Sequence, residues 1–104
     1  MTGMENGNIR IEIVFVGFPR VYDILQGDRV TYTFSGRYVS DLVLDMVRRY
    51  GKDIEESLLA KGSQKLDPTV RIMINRKHLK REDLGHEILR DGDEITLLRL
   101  LAGG

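Results

Sequence analysis

The spacing of the apolar residues changes from period two to period 3.6 part-way along the chain. Residues 9–16 and 29–35 alternate apolar and polar side chains, which is typical of half-buried β-strands joined as a hairpin. Over residues 39–50 the apolar side chains recur at the spacing of one helix face: Val39, Leu42, Val43, Met46, Val47 and Tyr50. This change of period predicts a sheet covered by one long amphipathic helix.

The ends of these elements carry local signals. Ser40 is a good N-cap for the helix, Val39 before it can act as a hydrophobic staple, and Gly51 suits the left-handed position after the last turn. Pro19 ends the first strand because proline lacks a backbone donor for the ladder.

The rest of the chain predicts a weaker helix and two more strands. Residues 53–61 have helical spacing, although an irregular arm also fits them. Residues 70–75 alternate again, residues 84–89 form a connector with a single helical turn, and the last strand runs from Glu94 to about Leu101. We therefore predict an α+β fold, with a four- to five-stranded mixed sheet packed on one main helix.

Composition limits the classes of function. With 104 residues and 41% apolar content, the chain is long enough for one domain with its own core. Sixteen basic and sixteen acidic residues cancel, so the charge gives no reason to expect nucleic acid or an anionic membrane as a partner. The absence of cysteine excludes disulfides, cysteine metal sites and thiol nucleophiles.

No targeting or membrane-spanning segment is predicted. No stretch approaches the ~18 apolar residues that a bilayer span needs. Residues 1–8 are polar and lack the pattern of a signal peptide, so we expect a cytoplasmic location. We divide the chain into a flexible N-terminus (1–8), a folded domain (9–101) and a flexible tail (102–104).

Several charged features predict no catalytic chemistry. The basic run 76–81 is interpreted as a solvated loop, with a docking patch as the alternative. His78 and His86 have no further ligand at suitable spacing, so no metal site is predicted. Asp91 and Asp93 flank a turn glycine, which favours turn chemistry over acid–base catalysis. With no phosphate-binding loop or catalytic motif, the chain is not expected to be an enzyme by itself.

Gly103 and Gly104 follow directly on the apolar run of the last strand. Because glycine lacks Cβ, two in succession tolerate backbone conformations closed to other residues. Such a tail can thread a narrow enzyme channel and present its carboxylate there. The alternative is an ordinary frayed terminus without a role.

Three segments carry a family resemblance: the strand 70–75 ending in an asparagine turn, the run 89–95 around Asp91-Gly92-Asp93, and the ending Ala102-Gly103-Gly104. With the order of elements, they resemble the β-grasp fold of ubiquitin and, more narrowly, the MoaD/ThiS family of sulfur carriers. That family includes the small subunit of molybdopterin synthase and the thiamine-pathway carrier. Residues 99–101 look closer to ubiquitin's tail, and residues 51–67 are longer than a compact carrier requires.

The resemblance implies a ubiquitin-like sulfur carrier. A partner enzyme would use ATP to adenylate the carboxylate of Gly104, which would then carry sulfur as a thiocarboxylate. Gly103 would supply flexibility, and Ala102 would be small enough to follow into the channel. The sulfur would serve molybdopterin or thiamine biosynthesis or tRNA thiolation. The chain itself would bind no cofactor, and it would form the small subunit of a sulfurtransferase of the molybdopterin synthase type.

The resemblance also implies the kind of partner. An adenylating enzyme related to ubiquitin-activating enzymes comes first, and a large synthase subunit or a sulfur-accepting enzyme follows. Nucleic acid and membrane are not expected, and the free chain would be a monomer. Leu98 and Leu100 alternate away from Ile95 and Leu97, which makes them candidate anchors for such a partner. The alternative is that these leucines complete the core.

Two other functions remain open at this point. The chain would act as a protein modifier if Gly104 were conjugated to lysines, and the Leu98-Arg99-Leu100 stretch favours this a little. It would act as a β-grasp binding module if the two final glycines were accidental.

Overall fold

The computed structural model describes residues 8–100 of the chain. Apart from Asn8, the predicted N-terminus (1–8) and the predicted tail (102–104) lie outside these residues. The described part contains strands, α-helices and one short 3₁₀ helix. Their bounds are β1 Asn8–Val16, α1 Pro19–Leu25, β2 Arg29–Ser35, α2 Val39–Tyr50, α3 Lys52–Leu58, β3 Val70–Ile74, β4 Lys77–Leu79, the 3₁₀ helix Arg81–Asp83, and β5 Glu94–Arg99.

The strands form one five-stranded mixed sheet in the order β2-β1-β5-β3-β4. The first and last strands of the chain are parallel neighbours at the centre, with Ile13 opposite Ile95. All other pairs are antiparallel. The predicted α+β class and mixed sheet are therefore confirmed. A parallel central pair needs a long crossover, and the chain between β1 and β5 supplies it.

The core lies between the sheet and the helices. Alternate residues of the strands and one face of α2 belong to a single buried cluster, which includes Ile11, Ile13, Leu42, Met46, Ile95 and Leu97. Each of these six side chains is at most 1% exposed. Burial of such side chains contributes roughly 1.5–3 kcal/mol each, so this cluster is the main stabilising feature of the fold. Within residues 8–100, no helix is both long and apolar enough to span a bilayer.

The start of α2 differs from the prediction. The N-cap is Tyr38, not Ser40, and the helix already begins at Val39. The carboxylate of Asp41 accepts hydrogen bonds from the backbone N–H groups of Arg37 and Tyr38, both at 3.0 Å. Because this acidic side chain already satisfies the helix entry, the serine is not needed as a cap. Gly51 ends the helix with a positive φ of 85°, as expected for glycine there, although its ψ of −151° is not left-handed helical.

Two short elements were missing from the prediction, and two boundaries shift. Helix α1 begins at Pro19 itself, because proline is well suited to the first helical position. Strand β4 forms an edge hairpin with β3. The weaker helix is confirmed as α3, though it ends at Leu58 rather than at residue 61. The helical turn expected within residues 84–89 instead occupies Arg81–Asp83.

One buried polar cluster joins α2 to β2. The hydroxyl of Tyr32 donates a 2.7 Å hydrogen bond to Asp45 on α2. The same carboxylate pairs with Arg48 at 3.0 Å and with Arg49 at 3.2 Å, and the Arg49 guanidinium lies 4.5 Å from the centroid of the Tyr32 ring. Burial, and next the hydrogen bond to Asp45, raise the pKa of Tyr32. The cluster therefore fixes α2 on the edge strand through a tyrosine that stays protonated.

Candidate docking face and exit of the tail

The two leucines predicted as partner anchors lie at the end of β5. Ile95 and Leu97 are fully buried under the helices, so the strand alternation places Leu98 on the opposite, open face of the sheet. Leu98 is half-buried, and Leu100, which follows the strand, is 43% exposed. Neither leucine belongs to the buried core cluster. Their position fits a docking role, and that role itself stays a prediction.

An apolar side chain lies beside Leu98 on the β1 side of the open face, whereas the register partner of Leu98 on β3 is Arg71. Strand register places Val16, which is 45% exposed, directly beside Leu98. One step back along the strands, Thr96 lies between two further apolar residues of β1 and β3. We call the following group the open-face patch: Val14, Val16, Met73, Leu98 and Leu100. Val14, Val16 and Met73 were not named as site residues, although the period-two alternation of their strands assigns them to this face.

The opposite end of the same face is charged. Arg29 pairs with Glu12 at 3.5 Å and with Glu94 at 3.2 Å, and Thr31 donates a 2.6 Å hydrogen bond to Glu12. Exposed ion pairs of this kind contribute little to stability. They do limit the apolar surface to the part of the sheet nearest the carboxyl end of β5.

The family motif around Asp93 has a structural role at the far end of β5 from the tail. The amide of Asn75 donates to the carboxylate of Asp93 at 2.9 Å, and the backbone N–H of Glu94 donates to the Asn75 side-chain oxygen at 2.9 Å. Gly92, with φ +90°, donates its N–H to the carbonyl of Arg10 at 2.7 Å. The two motif segments therefore bond to each other and join β1, β3 and β5. This confirms the interpretation of Asp93 as a turn residue.

Leu100 is the last residue that the structure describes. Its N–H donates a 2.8 Å hydrogen bond to the carbonyl of Thr69. Thr69 is itself held by Asp67, which accepts from its N–H at 2.8 Å and from its hydroxyl at 2.6 Å. These hydrogen bonds lower the pKa of Asp67. The predicted reactive residues Ala102, Gly103 and Gly104 lie outside the described residues.

Arg99, the last residue of β5, was not singled out from the sequence, and its contacts lie on the side of the sheet opposite Leu98. Its side chain turns toward the helices, where the guanidinium lies 5.1 Å from the centroid of the Phe18 ring and donates to the carbonyl of Ser57. The only signal in the sequence is its position, two residues after Leu97, on the inward side of the alternation.

Comparison with known proteins identifies the family. A profile of the ThiS family matches residues 20–104, which is most of the chain. The chain belongs to the ThiS family. A search of curated proteins found no match.

Three solved structures give the fold of this ThiS-family chain. SAMP1 from Haloferax volcanii aligns with a TM-score of 0.68 at 20% identity over 91% of this chain and 99% of its own. A putative molybdopterin converting factor subunit 1 from Pyrococcus furiosus aligns with a TM-score of 0.62 at 17% identity, over 89% and 99%. A chain of the Amycolatopsis orientalis BexX/CysO complex aligns with a TM-score of 0.67 at 20% identity, over 90% and 99%.

These alignments confirm the ubiquitin-like β-grasp fold. Two predictions from the sequence are thereby confirmed. They are the resemblance to MoaD/ThiS-type proteins and the mixed sheet on one main helix. The similar chain in the BexX/CysO structure was solved in complex with another protein.

Proposed function

We propose that this chain is a ubiquitin-like sulfur carrier whose Gly104 carboxylate is adenylated by a partner enzyme and then converted to a thiocarboxylate. The observation that carries the proposal is the extent of the ThiS-family match, which runs through Ala102-Gly103-Gly104 to residue 104. The proposal takes Gly104 as the carboxyl-terminal residue of the working protein. We expect this chemistry to take place in the cytosol.

The chemistry explains why an activating partner is needed. A carboxylate is a poor electrophile because its leaving group would be oxide. Attack of the carboxylate on the α-phosphorus of ATP releases pyrophosphate and forms an acyl adenylate. Hydrosulfide then attacks the carbonyl carbon, AMP leaves, and a proton is released as the thiocarboxylate forms. Since the chain has no cysteine, the sulfur that it carries resides on this carbon.

The open-face patch is the proposed docking site for the adenylating enzyme. It combines two exposed and three half-buried apolar residues with a charged boundary formed by Arg29, Glu12 and Glu94. Apolar centres with polar rims are the usual anatomy of protein interfaces. The patch also lies at the end of β5 where the tail begins, so a single partner could bind the patch and enclose Gly104. The structure of the BexX/CysO complex supports binding to a protein partner.

Intact mass spectrometry tests the activation chemistry. After incubation with the adenylating enzyme, ATP and sulfide, the mass should rise by about 16 Da, the difference between sulfur and oxygen. A variant that lacks Gly104 is the matched control and should gain nothing. An unchanged mass of the natural chain, or an equal gain in the control, would contradict the proposal.

A pair of leucine variants tests the docking site. Leu100→Asp should raise the Kd for the adenylating enzyme by about tenfold or more, because it places a charge in the apolar contact. Leu44→Asp is the control, since Leu44 is similarly exposed (41% against 43%) but lies on α2, on the other side of the sheet. Circular dichroism should show both variants folded. Unfolding of Leu100→Asp would instead support a core role, and equal Kd values for both variants would refute the docking site.

A protein modifier is the second candidate function. The similarity to SAMP1 favours this function, because SAMP1 stands for small archaeal modifier protein 1. In this role the activated Gly104 carbonyl would be attacked by a lysine amine of another protein, with loss of the activating group. Immunoblots of reduced, denatured native lysate separate the two functions. A ladder of heavier species indicates conjugation, and a single band at the mass of the free chain indicates a carrier.

A binding module without tail chemistry is the remaining alternative. Deletion of Gly103 and Gly104 should abolish function in a carrier or a modifier. A deletion strain that behaves like the natural strain would favour the binding module.

A further inference from the structure

Arg99 breaks the apolar pattern of β5 on its buried side. The strand presents Ile95 and Leu97 to the core, both at 0% exposure, and the next residue on the same side is an arginine. Its Nε is fully buried and has no hydrogen-bond partner among residues 8–100. An arginine at such a position must be held by strong local contacts, because burial of a cation is costly.

The contacts of the guanidinium come from two separate helical segments. One face lies over the ring of Phe18, the residue before α1, at 5.1 Å from the centroid. Nη2 donates to the carbonyl of Ser57, in the last turn of α3. Arginine stacks well on aromatic rings, and a cation at the carboxyl end of a helix is favoured by the helix dipole. Arg99 therefore joins the end of β5 to both α1 and α3.

The backbone at the same point is held as well. A Cβ on Gly17, which has φ +86°, would lie 3.1 Å from the carbonyl oxygen of Arg99. The backbones of the two segments are therefore closer together than a side chain at residue 17 would allow. On the other side, Leu100 donates its N–H to Thr69. The chain is thus fixed at Arg99 and Leu100, immediately before the four residues Leu101–Gly104.

We infer that Arg99 is a positioning residue, which fixes the point and direction at which the reactive tail leaves the body. The inference rests on the proposed function. Four residues reach about 13 Å, so a fixed exit confines Gly104 to a small volume relative to the docking face. If Arg99 is released, the tail lengthens by at least two residues and the carboxylate samples a larger volume. Docking through the strand residues of the open-face patch, Val16 and Leu98 among them, remains, but the carboxylate is less often in position to react with ATP.

Hydrogen exchange on the isolated protein tests the anchoring. In Arg99→Met, exchange of the Leu100 amide should speed up by about tenfold or more, whereas the Leu97 amide should be unchanged. Arg20→Met is the matched control. Arg20 is an exposed arginine that also links α1 to α3, through Glu56 at 2.9 Å, and within residues 8–100 its ion pairs are with α3 and not with β5. The control should leave the Leu100 amide as in the natural chain.

Adenylation kinetics test the consequence. At a temperature where circular dichroism shows all variants folded, Arg99→Met should lower kcat for adenylation by about tenfold or more, while KM for the carrier changes by less than about threefold. Arg99→Lys keeps a cation that can reach the Ser57 carbonyl, so it should restore part of kcat. Arg20→Met should keep the natural kcat.

The outcomes separate the inference from the function on which it rests. Normal kcat in Arg99→Met, an equal loss in Arg20→Met, or a defect confined to KM would overturn the positioning role alone. An unchanged exchange rate at Leu100 would also overturn it. A natural chain that is not adenylated at all would overturn the proposed function, and the positioning role with it.

Discussion

Replacement of Tyr32 by phenylalanine removes one buried hydroxyl and leaves the aromatic packing in place. The lost interaction is the 2.7 Å hydrogen bond to the carboxylate of Asp45. Hydrogen bonds to charged groups contribute about 1.5–3 kcal/mol. Because Arg48 and Arg49 still pair with this carboxylate, the loss should lie near the lower end, at about 1.5–2 kcal/mol. The melting temperature should fall by about 6–15 °C.

The same variant should change how stability depends on pH. Burial and the bond to Asp45 raise the pKa of Tyr32 in the folded state, so above about pH 10 the unfolded chain loses this proton first. The folded state then binds more protons, and the natural chain loses stability as the pH rises. The phenylalanine variant lacks this titration. The difference in unfolding free energy between the natural chain and the variant should therefore shrink by about 1.4 kcal/mol per pH unit above about pH 10. Near neutral pH this difference should stay constant.

Urea denaturation followed by circular dichroism, at a series of pH values, measures both effects. Tyr22→Phe serves as the control, because Tyr22 is 54% exposed and should change the unfolding free energy at neutral pH by less than about 0.5 kcal/mol. The reasoning fails if Tyr32→Phe costs less than about 0.5 kcal/mol at neutral pH, or if its disadvantage is the same at pH 11 as at pH 8.

Three further changes have expected outcomes. Met46→Ala, at a position with 0% exposure, should cost about 2–5 kcal/mol in urea denaturation, against less than about 1 kcal/mol for the half-exposed Leu44→Ala. Gly17→Ala should lower the melting temperature more than Gly92→Ala, because both have a similar positive φ (+86° and +90°) but only the first would crowd β5; equal losses would contradict this. Asp67→Asn should be less stable at neutral pH, and the difference should close as the pH falls below about 4, since the lowered pKa of Asp67 stabilises the folded state only while the group is ionised. A difference as large at pH 2 as at neutral pH in thermal scans would count against that assignment.

The longer elements were predictable because their signal is local. Period-two alternation identified β1, β2, β3 and β5, and the helical spacing identified α2, since each buries one face over many residues. The short elements lack such a repeat. Within α1 only Val21 is buried, and within β4 only Leu79 is buried, so neither pattern is long enough to show a period. Partners distant in the sequence stabilise them instead.

The candidate site likewise has one part that the sequence predicted and one part that it did not. Alternation correctly placed Leu98 on the open face, and the family motif correctly indicated turn chemistry at Asp93. The patch as a whole was not predicted, because Val16 and Met73 join Leu98 only through the strand order of the sheet.

What the chain determines by itself is therefore its repeating faces, its turns and the glycine ending that suggests the chemistry. Tertiary structure decides which of those faces meet. Arg99 shows the difference most clearly: the alternation of β5 puts its side chain on the inward side, but only the folded domain supplies Phe18 and the carbonyl of Ser57 as its partners. Those contacts join residues dozens of positions apart, and only packing of the whole domain brings them within the few ångströms over which such interactions act.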